Sequence, residues 1–157
     1  MKGLLLALNI FISSHTSFPI INEYPSVTLL SQVEMNWIFL GCKGEDKWFE
    51  PRCRKKRHAF YPIGLYDAVS QKIYISKNFK NKSTKEAFHS VILHELVHHL
   101  QNKLGVLRNK KYCRGQHEVQ AYRLQQLYLE SHEQDFYKSI NINELFIRSL
   151  LVDCFMQ

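Results

Sequence analysis

The chain has 157 residues, a length that suits one domain with its own hydrophobic core. Its composition is 45% hydrophobic and 22% charged with few glycines and prolines, which excludes a largely disordered or low-complexity protein. The net charge of +7 favours anionic surroundings such as a cell envelope or nucleic acid. No nucleic-acid-binding motif accompanies that charge, so we expect a basic surface and no specific nucleic-acid partner.

The N-terminal segment has the composition of a secretory signal peptide. A positive charge precedes the apolar run Gly3–Ile12, and small hydroxyl residues follow it. The run is too short to be a comfortable membrane span. We expect cleavage within Ser14–Phe18, which makes residues 1–18 a signal peptide and residues 19–157 a single domain. The alternative is a buried N-terminal strand or helix.

One helix and three strands are predicted in the first half of the mature chain. Tyr24–Leu30 is typical of a short strand, and an S-x-x-E capping box then opens a helix over Ser31–Leu40. Two further strand-like runs, Ala59–Tyr66 and Gln71–Ser76, flank a turn at Asp67–Ser70. We expect these two runs to form a hairpin.

A basic cluster lies in the polar loop before that hairpin. Arg52–Arg57 carries five basic residues around Cys53, with Trp48 and Phe49 close by. A solvated loop is the default interpretation of such a run. Binding to an anionic envelope surface, either a polymer or lipid head groups, is the functional alternative.

A central helix is predicted after the hairpin. Ser83–Glu86 has the form of a second capping box, and Gly105 stands where a C-terminal cap is expected. Apolar residues nearly encircle the helix between them, so we expect it to lie in the middle of the core. These residues are Ala87, Phe88, Val91, Ile92, Leu96, Val97 and Leu100.

This helix carries the H-E-x-x-H motif His94–His98. Four residues turn a helix by about 400°, so both imidazoles leave one face and can share a metal ion. Glu95 projects to one side of the pair, where it can accept a proton from a water activated by the metal. The alternative to a metal site is that these residues form an ordinary polar stripe on the helix.

A catalytic zinc site needs a third protein ligand and an open position. Glu118, at the start of the next predicted helix, is the best candidate, and Ala121 leaves room for close helix packing. Tyr122 is one turn beyond Glu118, so its hydroxyl can reach towards the metal. The competing interpretation of Glu118 is an ordinary first-turn acid favoured by the helix dipole.

Two more features complete the prediction of the fold. Apolar residues at helical spacing over Val119–Tyr128 continue the Glu118 helix, and a final helix over Asn143–Cys154 packs its apolar stripe into the core. We therefore predict an α+β fold, with a small antiparallel sheet packed on the central H-E-x-x-H helix and further C-terminal helices.

The four cysteines indicate an oxidising compartment. None forms a C-x-x-C pair, so a cysteine zinc site is not predicted, and two disulfides are the natural outcome in a secreted or periplasmic protein. Three connectivities are possible. We favour Cys42–Cys53, which closes a short loop, together with Cys113–Cys154, which ties the C-terminal segment to the metal region.

The paired motifs resemble those of the Glu-zincin class, the thermolysin-like peptidases. His94–Gln101 reads H-E-L-V-H-H-L-Q and Glu118–Tyr122 reads E-V-Q-A-Y, which is closer still to small secreted bacterial zinc metallopeptidases. The likeness covers roughly residues 60 to 130, and it also suggests that Lys72–Ile75 is the edge strand lining a substrate cleft.

The resemblance implies one zinc ion held by His94, His98 and Glu118, with Glu95 as general base for hydrolysis of peptide bonds in a protein or peptide substrate. It also implies a binding-only alternative, a zincin fold with little turnover. Two departures concern catalysis. Arg114 replaces an asparagine of the larger family, and the likeness does not extend to the domain that supplies a transition-state histidine. We therefore expect a local stabiliser, for which the candidates are Tyr122, Tyr112 and His117.

Overall fold

The computed structural model of the protein describes residues 1–42, 62–108, 113–152 and 154. Over these residues the fold is mixed α and β, with one three-stranded sheet and several helices, as expected for an α+β protein. Within the described part, no helix is long and apolar enough to cross a membrane.

Several features predicted from the sequence lie outside the described residues. They are the basic cluster Arg52–Arg57 with Trp48 and Phe49, the Cys53 end of the predicted Cys42–Cys53 disulfide, residues 59–61 of the first hairpin strand and the candidate stabiliser Tyr112.

The sheet is mixed, so the expectation of an antiparallel sheet is wrong for one strand. Strands β1 (Ser26–Leu30), β2 (Gly64–Asp67) and β3 (Lys72–Ser76) are ordered β1-β3-β2. The β2–β3 hairpin is antiparallel as predicted, whereas β1 pairs with β3 in parallel. The chain between β1 and β2 includes helix α2 (Gln32–Phe39), and such a crossover allows a parallel pairing. Alternation along a strand predicts which face is buried but not the direction of its neighbour.

Strand β3 is therefore central, and the expectation that Lys72–Ile75 forms a cleft edge is wrong. The edge nearest the H-E-x-x-H helix is β2 instead. The capping box predicted for α2 is confirmed, since Ser31 and Glu34 bond to each other's backbone N–H groups.

The H-E-x-x-H helix, α4, runs over Lys85–Lys103 after a short unpredicted helix, α3 (Lys77–Lys82). Its N-cap is Thr84, whose hydroxyl accepts the N–H of Ala87 at 3.1 Å, so the cap lies one residue after the predicted Ser83. The helix ends as expected, with Gly105 at a φ of +70° just beyond it.

Helix α4 is the core helix, as predicted. It packs on β2 and β3, on helix α1 (Lys2–His15) and on helix α5 (Arg114–Glu130), which follows a 3₁₀ turn at Val106–Arg108. Its fully buried apolar side chains are Ile92, Leu93, Leu96, Val97 and Leu100.

The N-terminal segment forms helix α1 and contributes to this core. Leu5, Leu8 and Ile12 are at most 2% exposed, and the helix contacts α4 and α5. Buried Asn9 binds the chain that follows, because its Oδ1 accepts the N–H of Ile21 at 2.8 Å. This is the arrangement that the buried-helix alternative describes, and removal of residues 1–18 stays a prediction.

Two helices follow α5. Helix α6 (Phe136–Ile140) is not predicted, and helix α7 (Glu144–Val152) lies where the final helix is expected. Leu145 and Phe146 on α7 are 74% and 39% exposed, so the expectation that the apolar stripe is all core is wrong at these two positions. The predicted Cys113–Cys154 disulfide is confirmed and ties the end of α7 to the start of α5. Cys42 is also disulfide-bonded.

Candidate metal centre

The candidate site begins as a polar stripe on an otherwise apolar helix. Ser90, His94, His98 and Gln101 are spaced by four, four and three residues along α4, so they share one face. Each of the four is buried or nearly so, and α5 packs on this face. A buried polar face needs partners, which α5 supplies.

Three side-chain atoms converge where α5 meets this stripe. The Nε2 atoms of His94 and His98 lie 3.2 Å apart, and Oε2 of Glu118 lies 3.4 Å from each of them. Together they form a group that could hold a metal ion. The structure thus brings the three predicted ligands together, with side-chain exposures of 9%, 12% and 23%.

The triad is electrostatically coupled. Burial by itself would lower the pKa of His98, but the Glu118 hydrogen bond and the charges of Glu95 and Glu118 outweigh it and raise that pKa to about 9. Burial would raise the pKa of Glu118, but its hydrogen bonds to the two imidazoles hold it well below the usual range. A carboxylate and an imidazole cation therefore stabilise each other in the metal-free protein.

The Nδ1 atoms of both imidazoles, which point away from the triad, each face a glutamine side chain. Nδ1 of His98 lies 2.8 Å from Oε1 of Gln101, and Nδ1 of His94 lies 3.1 Å from Oε1 of Gln125. Both amides are buried, with exposures of 0% and 2%.

Glu95 leaves the other side of α4, towards the edge strand β2. It is 6% exposed, and this burial raises the pKa of its carboxyl, against the opposing effects of both imidazoles and of the Tyr66 N–H. The N–H of Ser76 donates to the carbonyl of Ile63, so alternation along the hairpin turns the N–H of Tyr66 away from β3. The free edge of the sheet thereby supplies a hydrogen bond to Glu95.

Gly64 makes this approach possible. A Cβ at that position would lie 2.5 Å from Oε1 of Glu95 and 2.7 Å from Cγ1 of Val91. Two residues on, the Tyr66 hydroxyl lies 3.1 Å from Nδ1 of His99 and accepts from the Asn102 amide at 3.1 Å. The face of β2 that carries these two residues is therefore anchored to α4.

Tyr122 lies against the triad through its ring. The centroids of the Tyr122 and His94 rings are 4.4 Å apart, and Phe136 and Phe146 enclose the tyrosine further out. Burial raises the pKa of Tyr122, and the charges of Glu118 and Glu95 raise it further. Its hydroxyl therefore stays protonated.

Other histidines lie near the triad without joining it. His99 is 1% exposed, and burial lowers its pKa to about 4. His117, also a candidate stabiliser, is buried, and its backbone carbonyl accepts from Gln101 at 3.2 Å. His89 lies 3.5 Å from the Tyr128 hydroxyl, away from the triad.

Four residues of the site are not predicted from the sequence. Ser90 and Gln125 could have been found from helical spacing in the sequence. Ser90 precedes His94 by one helical turn, and Gln125 follows Glu118 by two turns. No sequence pattern identifies Gly64 and Tyr66, since no residue spacing relates an edge strand to the helix face it contacts.

Comparison with known proteins gives a family but no function. Residues 1–149 match the family model described as Domain of unknown function (DUF6647), a range that includes α1, both ligand helices and most of α7. No curated protein matches the chain. No solved structure matches it either. The chain belongs to the DUF6647 family.

Proposed function

We propose that the protein is a zinc-dependent metallopeptidase that hydrolyses peptide bonds with Glu95 as general base. The observation that carries the proposal is the convergence of His94, His98 and Glu118 beside a buried glutamate. The resemblance to Glu-zincins supports the same assignment of residues to roles.

The donor set fits zinc in chemistry and in spacing. Two imidazole nitrogens and one carboxylate oxygen form the usual three-ligand set of a catalytic zinc site. Zinc bonds to nitrogen and oxygen are about 2.0–2.2 Å long, so neighbouring ligands of a tetrahedron are about 3.3–3.6 Å apart. The three sides of the triad measure 3.2, 3.4 and 3.4 Å. These distances are close to that range, so the triad would suit zinc held by three protein ligands with a fourth position left for water.

A bound zinc ion would supply a Lewis acid that polarises a peptide carbonyl and acidifies water. Glu95 would take up the proton of the attacking water as the new C–O bond forms. It would then pass that proton to the amine nitrogen as the C–N bond breaks. The raised pKa of Glu95 suits this role, since the carboxyl has to hold a proton between the two steps.

Tyr122 would act as a donor to the developing oxyanion. Its neutral hydroxyl lies within the field of both site carboxylates, and its ring packs on His94. A protonated donor near the reacting carbonyl stabilises negative charge that forms there. Tyr122 would thus be the local stabiliser that the sequence comparison leads us to expect.

The proposed substrates are proteins or peptides of the cell envelope or the extracellular space. The Cys113–Cys154 disulfide supports a secreted or periplasmic location, because such bonds persist in oxidising compartments. We also propose that the basic cluster Arg52–Arg57 binds an anionic surface of the cell envelope.

The test is metal content measured by mass spectrometry, combined with cleavage of a mixed peptide library. We expect one zinc per chain in the wild type, retention of zinc with loss of cleavage in Glu95→Gln, and loss of both in Glu118→Ala. Glu130→Ala is the matched control, because Glu130 is exposed at the end of the same helix as Glu118. It should keep both properties.

Two results would count against the proposal. Absence of stoichiometric zinc after incubation with the ion would remove the metal centre. Stoichiometric zinc without cleavage of any library peptide would favour the alternative of a zincin-fold binding protein.

A further inference from the structure

We propose that two buried glutamines are positioning residues that hold both triad imidazoles with a proton on Nδ1, so that each Nε2 offers its lone pair to the metal. They are Gln101, which serves His98, and Gln125, which serves His94. The inference rests on the proposed function and adds a tautomer control that neither the family nor the ligand motif assigns.

The orientation of the Gln101 amide follows from its neighbours. Its Nε2 lies 3.2 Å from the backbone carbonyl of His117 and 2.9 Å from Oε1 of Gln120. A carbonyl oxygen only accepts, so the amide must present its NH₂ group to α5 and its oxygen to His98. The amide oxygen also only accepts, which requires the imidazole to donate from Nδ1. The backbone of α5 thus holds a proton on Nδ1 of His98.

A second chain of hydrogen bonds acts on His94 in the same way. The Ser90 hydroxyl donates to the carbonyl of Ala87 at 2.8 Å, which leaves its oxygen to accept from Nε2 of Gln125 at 3.1 Å. The oxygen of that amide then faces Nδ1 of His94 at 3.1 Å. In this arrangement every polar group of the chain is paired, and the amide oxygen of Gln125 is the atom that faces His94.

The two glutamines form reciprocal bridges between the ligand helices. Gln101 belongs to α4 and bonds to α5, whereas Gln125 belongs to α5 and bonds to α4. The bonds that orient the imidazoles therefore also hold the two helices together. Because the amides are neutral, they orient the ligands without adding charge to a site that already contains two carboxylates.

The test compares Gln101→Met and Gln125→Met in the full chain labelled with ¹⁵N-histidine, in both metal-free and zinc-loaded protein. The readouts are the proton shift and solvent exchange of each Nδ1–H and the zinc dissociation constant from chelator competition. We expect Gln101→Met to move only the His98 signal and Gln125→Met only the His94 signal. Each should weaken zinc binding roughly ten- to hundredfold.

Two further variants separate positioning from packing. Gln126→Met replaces the neighbouring glutamine, whose amide bonds to Glu130 at the surface, and should leave both signals and the zinc affinity unchanged. Gln125→Glu keeps an oxygen acceptor for His94 and should restore the Nδ1–H signal that Gln125→Met loses.

The proposal is overturned if both signals move together in either Met variant, or if neither moves. Because the signals are also recorded without metal, that result is independent of whether the wild type binds zinc or cleaves peptides. A wild type without zinc whose Nδ1–H signals still respond one by one would support the positioning role while removing the proposed function.

Discussion

The two sides of helix α4 serve different parts of the site. On the α5 side, Glu118 meets both imidazoles and Gln125 faces His94, so this side would complete and orient the proposed ligand set. On the β2 side, the strand leaves space at Gly64 and directs the Tyr66 N–H to Glu95. One side would therefore determine how a metal is held, and the other determines the surroundings of the proposed base.

This difference means that metal affinity and turnover should respond to separate mutations. The ligand side is built from charged and amide groups that need well-placed partners, since a buried unpaired polar group is costly. The base side depends on close backbone approach, where a single methyl group is too large. The predictions below test whether the two sides are in fact independent.

The largest effect is expected for Gly64→Ala. The added Cβ would displace the Glu95 carboxyl from the Tyr66 N–H, and a shift of about 1 Å in a reacting group can reduce turnover about a hundredfold. We expect kcat/KM to fall by that amount while zinc stays at one per chain. Gly3→Ala is the control, because a Cβ there meets nothing within 4 Å. Loss of zinc together with activity would show that the two sides are coupled.

A third side of α4, covered by α1, should affect stability alone. Leu8 is 2% exposed, so Leu8→Ala should lower the free energy of unfolding by about 2–4 kcal/mol. Leu6→Ala, on the same helix at 44% exposure, should change it by about 0.5 kcal/mol or less. Denaturant unfolding of the full chain measures both. Equal effects of the two variants would mean that α1 does not pack as described. Altered zinc affinity in folded Leu8→Ala would mean that the packing of α1 also affects the metal site.

Zinc binding should become tighter as the pH rises. The pKa of His98 is raised to about 9 in the metal-free fold, so zinc has to displace a proton below that pH. The apparent affinity should increase about tenfold per pH unit from about pH 7 to 9 and then level off. Chelator competition across this range measures it, and a flat profile would contradict the coupling of His98 to Glu118.

The same proton stabilises the metal-free fold. Because the folded pKa of His98 lies above its unfolded value of about 6.5, this contribution is complete below that pH and is lost as the pH rises through about 9. Thermal unfolding of the metal-free protein should therefore show a falling melting temperature over that interval. The decrease should be absent from zinc-saturated protein.

The smallest effect is expected at the start of α4, far from both sides. Thr84→Ala removes the N-cap oxygen and should cost about 1 kcal/mol of stability without changing zinc affinity or turnover. Ser83→Ala is the control, since its buried hydroxyl has no hydrogen-bond partner among the described residues. A larger effect of Ser83→Ala would mean that Ser83 is the N-cap, as the sequence pattern predicts.

The sequence is informative where chemistry follows helical spacing. His94, His98 and Glu118 can be chosen as candidate ligands from their spacing, and the structure brings them together because the two helices that carry them are in contact. Periodicity does not encode which strands are neighbours, so it misses the parallel pairing of β1 and the central place of β3. It also says little about how short segments dock, which is why α3 and α6 are not expected from it.

The distribution of the site along the chain has a consequence for folding. The candidate triad and both glutamines lie in the two helices α4 and α5, between Ser90 and Gln125. The hydrogen bonds that join α4 to α5 span 16 to 35 residues and those that join β2 to α4 span 33 or 36, so loop-closure entropy separates the two sides by about 0.6 kcal/mol or less. We therefore expect both sides of α4 to form in one cooperative transition, with zinc affinity gained only as the whole fold forms.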